Sequence, residues 1–117
     1  MEYIISNIEI PCAIQMSAHL WVKGNFKTME NYLYLSEGYV VDYHIKNVEE
    51  YLKLGLKDHY ACGAYNIFCF DRQNNLLEIK TDKRTALSLY LYEKDSSFAF
   101  SNNPWLLVKY FYDDVSV

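Results

Sequence analysis

The chain alternates short apolar and polar runs, the pattern of strands that each bury one face. Residues 2–10 (EYIISNIEI) and 13–22 (AIQMSAHLWV) predict a first extended pair. The pair is joined near Pro11, which cannot donate to a central ladder and therefore favours a turn or an edge. Residues 31–43 (NYLYLSEGYVVDY) alternate Tyr, Leu and Val with polar residues, which predicts one or two half-buried strands around Gly38.

Further strands follow in the second half of the chain. Residues 63–71 (GAYNIFCFD) are apolar on both faces of an extended chain, which predicts a central strand covered on both sides. The polar link 71–75 (DRQNN) favours a turn, after which 76–81 (LLEIKT) is expected to return antiparallel. Residues 86–93 (ALSLYLYE) and 97–101 (SFAFS), on either side of a polar turn, complete the predicted strands.

Two segments carry helix signals. Asn47 and Glu50 have the spacing of a capping box, and Gly55 is suited to end a helix of about two turns. Pro104 is preorganised for the first position of a second helix, whose buried face is supplied by residues 105–111 (WLLVKYF). The whole pattern predicts an α+β fold: largely antiparallel sheet or sheets, with about two helices packed on them.

Composition bounds the class of protein. The 117 residues are half hydrophobic and contain no linker-like tract, so one packed domain spanning residues 1–117 is expected. A net charge of -4 argues against a nucleic-acid or anionic-membrane partner, because such partners reward clustered cations. A soluble cytoplasmic protein is the expectation, and the last residues, DDVSV, resemble a turn entering another strand, as in a domain truncated at its C-terminus.

The cysteines and histidines of the sequence give little indication of a metal site or of thiol chemistry. The three cysteines, Cys12, Cys62 and Cys69, are an odd number without C-x-x-C spacing, so neither a disulfide framework nor a zinc site is predicted. Buried thiols are expected instead. The histidines lack metal-binding spacing, and no cofactor is predicted.

A knot of charge lies at residues 80–84 (KTDKR). Its simplest interpretation is the end of a strand and an exposed turn, in which Asp82 tolerates turn geometry and the charges face solvent. The alternative is that Lys80, Lys83 and Arg84 form a rim that docks a partner.

Several pairs of residues follow a fixed order between residues 61 and 111. A glycine opens an apolar strand that ends in Phe-Asp, and an Asp-Lys, a Leu-Tyr and a Phe-Ser pair come after it. The residues are Gly63, Phe70, Asp71, Asp82, Lys83, Leu89, Tyr90, Phe100 and Ser101. Their order and spacing resemble the N-terminal class II glutamine amidotransferase domain of the asparagine synthetase family, with Lys83 where an Arg is usual. The resemblance implies that these residues belong to the scaffold of the domain. It also implies that the fold is part of an Ntn-hydrolase αββα sandwich.

The departures from the family are as informative. Enzymes of the family use a cysteine directly after the initiator Met as nucleophile, whereas this chain has Glu2. The Arg and the Asn-Gly that hold glutamine are missing between Ala13 and Tyr60. The chain is therefore expected to be a degenerate domain without a catalytic residue of its own, resembling those of β-lactam synthetases and lasso-peptide cyclases.

The resemblance implies a non-catalytic domain that supports an ATP-dependent amide-forming domain or subunit, or helps to receive its peptide substrate. Two alternatives stay open. One is a free-standing homodimeric interaction or binding protein that retains the fold. The other is an amidase that uses Cys12 as nucleophile after removal of residues 1–11 as a propeptide.

Overall fold

The computed structural model describes residues 2–41, 48–54, 62–83 and 86–111. Within these ranges every strand pairing is antiparallel, and the predicted α+β class is confirmed. The elements are β1 Ile4–Ser6, β2 Ile14–Ser17, β3 Leu20–Lys23, β4 Lys27–Met29, β5 Tyr32–Val41, α1 Val48–Leu54, β6 Cys62–Asp71, β7 Leu76–Thr81, β8 Tyr90–Lys94, β9 Ser97–Ser101 and α2 Pro104–Phe111.

The chain divides into two compact units. The first unit combines both ends of the chain, Met1–Asn25 and Ser88–Val117, and the second is the continuous segment Phe26–Leu87. The first unit holds a five-stranded sheet in the order β2-β3-β1-β9-β8, and the second holds a four-stranded sheet in the order β4-β5-β6-β7.

In the first unit, α2 packs on one face of the five-stranded sheet. Ile4 of β1 and Ala99 of β9 are fully buried there with Leu107 of α2. Tyr92 of β8 stacks on Phe111 of α2 with ring centroids 4.7 Å apart. Burial of these side chains stabilises the attachment of α2, since removing apolar area from water contributes roughly 25 cal/mol per Å².

The opposite face of this sheet carries a continuous apolar row across all five strands. Direct cross-strand partners link its members in the order Ile14, Val22, Ile5, Phe100 and Leu91. The central Ile5 is buried, whereas the two end residues are half exposed, Ile14 by 54% and Leu91 by 52%. The row therefore ends in accessible aliphatic side chains at both edges of the sheet.

In the second unit, β6 lies between β5 and β7, and all of its residues from Tyr65 to Phe70 are buried. The predicted central strand is thereby confirmed. On one face, Tyr65 meets Tyr51 of α1 edge to face at 5.8 Å, and Ile67 and Cys69 join the same cluster. On the other face, Phe68 and Phe70 follow the buried Asn66, so both sides of the strand are buried and largely apolar.

Two glycines allow β5 and β6 to approach closely. Gly38 has φ +89, and a Cβ there would overlap the carbonyl oxygen of Ala64. Gly63 has φ +138, and a Cβ there would overlap the carbonyl oxygen of Tyr39. Because other residues are strained at such φ values, this stretch of the ladder depends on glycine from both strands.

The predicted N-terminal pair is confirmed in part. Residues 13–22 contain the β2–β3 hairpin and not one strand, and β1 pairs with the second strand of that hairpin, β3, and with β9. Ser17 explains the break, because its hydroxyl accepts a hydrogen bond from the His19 N–H at 3.4 Å in the turn. Pro11 does lie in a turn, as predicted.

The later elements follow the predictions closely, except for β8. This strand begins at Tyr90 and not at Ala86, and it belongs to the sheet that does not contain β7. Helices α1 and α2 are both present. The Asn103 side chain caps α2 by accepting a hydrogen bond from the Trp105 N–H at 3.0 Å. Asn47 and Gly55, the expected caps of α1, lie outside the described residues.

Candidate functional site

The start of β1 is tied to the end of β9 and to the first turn of α2. The buried Ser101 hydroxyl donates to the Tyr3 carbonyl oxygen at 2.6 Å and accepts from the Asn103 N–H at 3.0 Å. The Tyr3 N–H donates to the Asn102 side-chain oxygen at 3.0 Å. The Asn103 side-chain amide donates to Glu2 Oε1 at 2.6 Å. These bonds fix Glu2 and Tyr3 against residues 101–103.

This cluster offers hydrogen bonds but no activated nucleophile. The Ser101 hydroxyl directs its proton at a backbone carbonyl, and Glu2 contributes an exposed carboxylate already held by Asn103. A hydroxyl becomes a nucleophile when a base takes its proton, and a peptide carbonyl is not such a base. The arrangement therefore positions the backbone of β1.

Asp82 forms the second polar cluster, and its environment corrects the sequence interpretation. It was expected on an exposed turn, but only 3% of its surface is exposed. Its two oxygens accept from the Tyr65 N–H at 3.1 Å and the Ala86 N–H at 3.2 Å. The carboxylate satisfies one buried and one part-buried backbone donor, which makes Asp82 an anchor for the segment after β7.

The rest of the charged knot is divided. Lys80 of β7 is half buried and Lys83 is exposed, so the charges do not all face solvent. Arg84 lies outside the described residues. The docking rim of Lys80, Lys83 and Arg84 stays a prediction.

The Phe70-Asp71 motif ends the central strand at the β6–β7 turn. Phe70 is buried, and the Asp71 carboxylate accepts from the Asn74 side chain at 2.7 Å. It also accepts from the backbone N–H groups of Gln73 and Asn74. The hydrogen bond from the Asn74 side chain is the main reason that the pKa of Asp71 lies below its usual value. The structure thus gives Asp71 a turn-closing role.

The remaining motif residues belong to the first unit. Leu89 is half buried just before β8, Tyr90 begins that strand with 39% of its surface exposed, and Phe100 is half buried in β9. The nine motif residues are therefore divided between the units. Gly63, Phe70, Asp71, Asp82 and Lys83 lie in the second unit, and Leu89, Tyr90, Phe100 and Ser101 lie in the first.

The cysteines differ from the expectation of buried thiols. Cys12 and Cys62 are exposed, and only Cys69 is buried. Cys12 is the third residue of a turn closed by the Ala13 N–H and the Ile10 carbonyl at 3.2 Å, with φ 65. Turn geometry thus keeps this small apolar residue at the surface. Burial raises the pKa of Cys69 to about 11, which leaves its thiol protonated and inert.

Two polar pairs were not foreseen from the sequence. Lys23 Nζ donates to the Tyr110 hydroxyl at 3.0 Å, and this bond raises the pKa of Lys23 and lowers that of Tyr110. The Tyr34 hydroxyl donates to Glu49 Oε1 and links β5 to α1. Each pair joins separate elements, and nothing in the local pattern around either residue marks its partner.

Comparison with known protein families, curated proteins and solved structures finds no match for this chain. Among the described residues, no group of three or more His, Cys, Asp or Glu side chains could hold a metal ion. Neither helix in the described part of the chain is long and apolar enough to cross a membrane.

Proposed function

We propose that the chain is a degenerate glutaminase-type domain of the Ntn-hydrolase fold, acting in the cytoplasm. In this role it supports an ATP-dependent amide-forming domain or subunit, or helps to receive the peptide substrate of that partner. It contributes no glutamine hydrolysis of its own. The observation that carries the proposal is Glu2, whose carboxylate accepts a hydrogen bond from Asn103 where a catalytic member of the family needs a free thiol.

The layering of the chain supports the fold in this proposal. Each unit has one antiparallel sheet with one helix on one of its faces. The opposite face carries apolar side chains, among them Ile5 and Phe100 in the first unit and Phe68 and Phe70 in the second. The first strand also lies beside the motif residues of β9: Ile5 is the partner of Phe100, and Ile4 is the partner of Ser101. The N-terminal strand is thus paired with the last family-like motif of the chain.

The burial of β1 supports a non-catalytic role. Cleavage before Cys12 would remove β1, which lies between β3 and β9 and buries Ile4 and Ile5 almost completely. The five-stranded sheet would then lose its central strand in the act of creating the new terminus. Cys12 is therefore a poor candidate for an N-terminal nucleophile.

The arginine content supports the same conclusion. Arg72 and Arg84 are the only arginines in the sequence. Arg72 donates to the backbone carbonyl oxygens of Glu30 and Asn31, at 2.9 and 3.4 Å, and so is occupied at a turn. A bound glutamine carboxylate requires such a cation, because an unpaired buried charge is costly.

Two measurements test the proposal. Purified protein is expected to release no ammonia or glutamate from glutamine, and turnover by the intact chain would overturn the non-catalytic role. In a binding assay, the protein is expected to bind an asparagine-synthetase-like polypeptide encoded beside it. The absence of any binding to that polypeptide would overturn the supporting role.

Charge reversal then tests the docking rim. Lys83→Glu, alone and with Arg84→Glu, is expected to weaken binding by at least about tenfold, which corresponds to about 1.4 kcal/mol. The control is Lys109→Glu, which reverses one exposed lysine on α2 and should leave binding unchanged. Binding that survives reversal at both Lys83 and Arg84 would remove the rim from the proposal.

A further inference from the structure

The edge strand β8 is open to pairing in the part of the chain that the structure describes. There it pairs with β9 alone, in an unbroken register over all five residues. Leu91 exposes 52% of its surface and Tyr90 exposes 39%. Alternate residues of an edge strand turn their backbone N–H and C=O groups away from the sheet, and such a row is a template for another strand.

We propose that β8 pairs antiparallel with β8 of a second copy of this chain, about a two-fold axis at Leu91. The two five-stranded sheets then join into one continuous sheet. Leu91 lies opposite Leu91 of the second copy, and Tyr90 lies opposite Tyr92 of the second copy. This self-association is independent of any synthetase partner.

Charge selects among the possible registers. A two-fold axis normal to the sheet sets one residue opposite its own copy. An axis at Glu93 or Lys94 would oppose like charges, which destabilises a cross-strand pair. An axis at Tyr92 would set Leu91 opposite the Glu93 carboxylate. An axis at Tyr90 would leave only that residue of β8 opposite β8.

The axis at Leu91 overlaps residues 90–92 of the two β8 strands and gives apolar or aromatic partners on both faces there. On the face away from α2, it joins two copies of the row that runs from Ile14 to Leu91 and covers the exposed Leu91 ends. On the α2 face, Tyr90 meets Tyr92 of the second copy, which Phe111 holds by ring stacking. Such aromatic cross-strand pairs stabilise an antiparallel ladder relative to alanine.

The other edge of the same sheet is protected by its geometry. The register between β2 and β3 shifts between Gln15 and Ser17, which is the irregularity of a β-bulge. A bulge bends and twists an edge strand, so that a second chain cannot continue the ladder. Ile14 is as exposed as Leu91, but its strand is less suited to pairing.

The oligomeric state tests the inference. Sedimentation velocity over a wide range of protein concentration is expected to show a reversible dimer. Leu91→Lys should produce a monomer, because two ammonium groups would then face each other. The matched control is Ile14→Lys, at the equally exposed far end of the row, which should leave the dimer intact. Circular dichroism and thermal melting identify any variant that has lost its fold.

Cross-linking tests the register independently of the stability of the lysine variants. In a Cys12→Ser, Cys62→Ser background, Leu91→Cys should form a disulfide-linked dimer on mild oxidation, because facing Cα atoms about 5.5 Å apart suit a disulfide. Ile14→Cys should not form one. A wild-type chain that stays monomeric throughout would overturn the inference, even if it bound an extended peptide through β8. Loss of the dimer by Ile14→Lys but not by Leu91→Lys would also overturn it.

Discussion

Tyr65 and Asp82 are hydrogen-bonded to each other in both directions. The Tyr65 N–H donates to Asp82 Oδ1 at 3.1 Å, and the Asp82 N–H donates to the Tyr65 carbonyl oxygen at 3.2 Å. The second Asp82 oxygen accepts from the Ala86 N–H. A single buried carboxylate therefore joins the central strand of the second unit to the segment that follows β7.

We expect substitution of Asp82 to destabilise the fold. Asp82→Ala should lower the free energy of unfolding by about 3 kcal/mol, because one buried and one part-buried backbone donor lose a charged acceptor. Asp82→Asn keeps one acceptor oxygen and should lie between alanine and wild type. Urea denaturation measures both changes. The adjacent exposed residue supplies the control, since Lys83→Ala should change stability by less than about 0.5 kcal/mol. Equal effects of Asp82→Ala and Lys83→Ala would contradict the anchoring role.

Gly38 should tolerate no side chain. Gly38→Ala forces a Cβ against the Ala64 carbonyl oxygen and within 2.7 Å of Leu87 Cδ1, at a φ of +89. We expect the free energy of unfolding to fall by about 1–3 kcal/mol, because both backbone strain and steric overlap oppose the substitution. Thermal unfolding provides the measurement. The neighbouring Tyr39→Thr, at an exposed strand position, is the control and should melt close to wild type.

The Tyr34–Glu49 pair should limit stability at both extremes of pH. The hydrogen bond from Tyr34 lowers the pKa of Glu49, so this contribution is present above the pKa of the unfolded state and is lost as pH falls through the folded value. Burial, and then the bond to Glu49, raises the pKa of Tyr34 to about 12 from 10.0. The contribution of the protonated Tyr34 hydroxyl to folding stability is present below pH 10 and is lost as pH rises toward 12.

Tyr34→Phe tests this dependence. It removes the bond, and we expect it to cost about 1–2 kcal/mol at neutral pH and less at pH values where Glu49 is protonated. Urea denaturation of both proteins at a series of pH values measures this loss of stability at neutral pH and in acid. A penalty that does not shrink in acid would show that Glu49 is not the partner that matters.

The three thiols should react in two groups. Iodoacetamide should label the exposed Cys12 and Cys62 in the native protein and spare Cys69, whose pKa burial raises to about 11. In urea all three should react. Mass spectrometry counts the labels, and a Cys69→Ala variant with an unchanged native count identifies the protected residue. Three labels on the native protein would contradict the buried position.

Much of the secondary structure could be read from local signals. The central strand is predictable because both faces of residues 63–71 are apolar. Helix α2 is predictable because Asn103 precedes a proline. The division of residues 13–22 into a hairpin could not be read, because the apolar alternation continues through the Ser17 turn. The pairing of β1 with β9 was also out of reach, since local pattern carries no information about a distant partner.

The site was predicted less well than the strands. The order of the sequence motifs identified Ser101 and Asp82 as scaffold residues, but it did not predict their hydrogen-bond partners. Aspartate is a common turn residue, so the sequence favours an exposed turn for Asp82. Its burial as a hydrogen-bond acceptor depends on tertiary contacts. The bond from Asn103 to Glu2 depends on the meeting of α2 with β1, which tertiary structure alone decides. Small apolar thiols were expected inside, and turn geometry kept Cys12 outside.

The place of β1 in its sheet has a consequence for synthesis on the ribosome. The Ser101 hydroxyl and the Tyr3 carbonyl that it binds are 98 residues apart in sequence, and β1 needs β9 as its second neighbour. The continuous segment Phe26–Leu87 holds its whole four-stranded sheet and can assemble while later residues are still being added. Strand β1 emerges long before β9, so it gains its second neighbour late, and until then its apolar residues need shielding from other nascent chains.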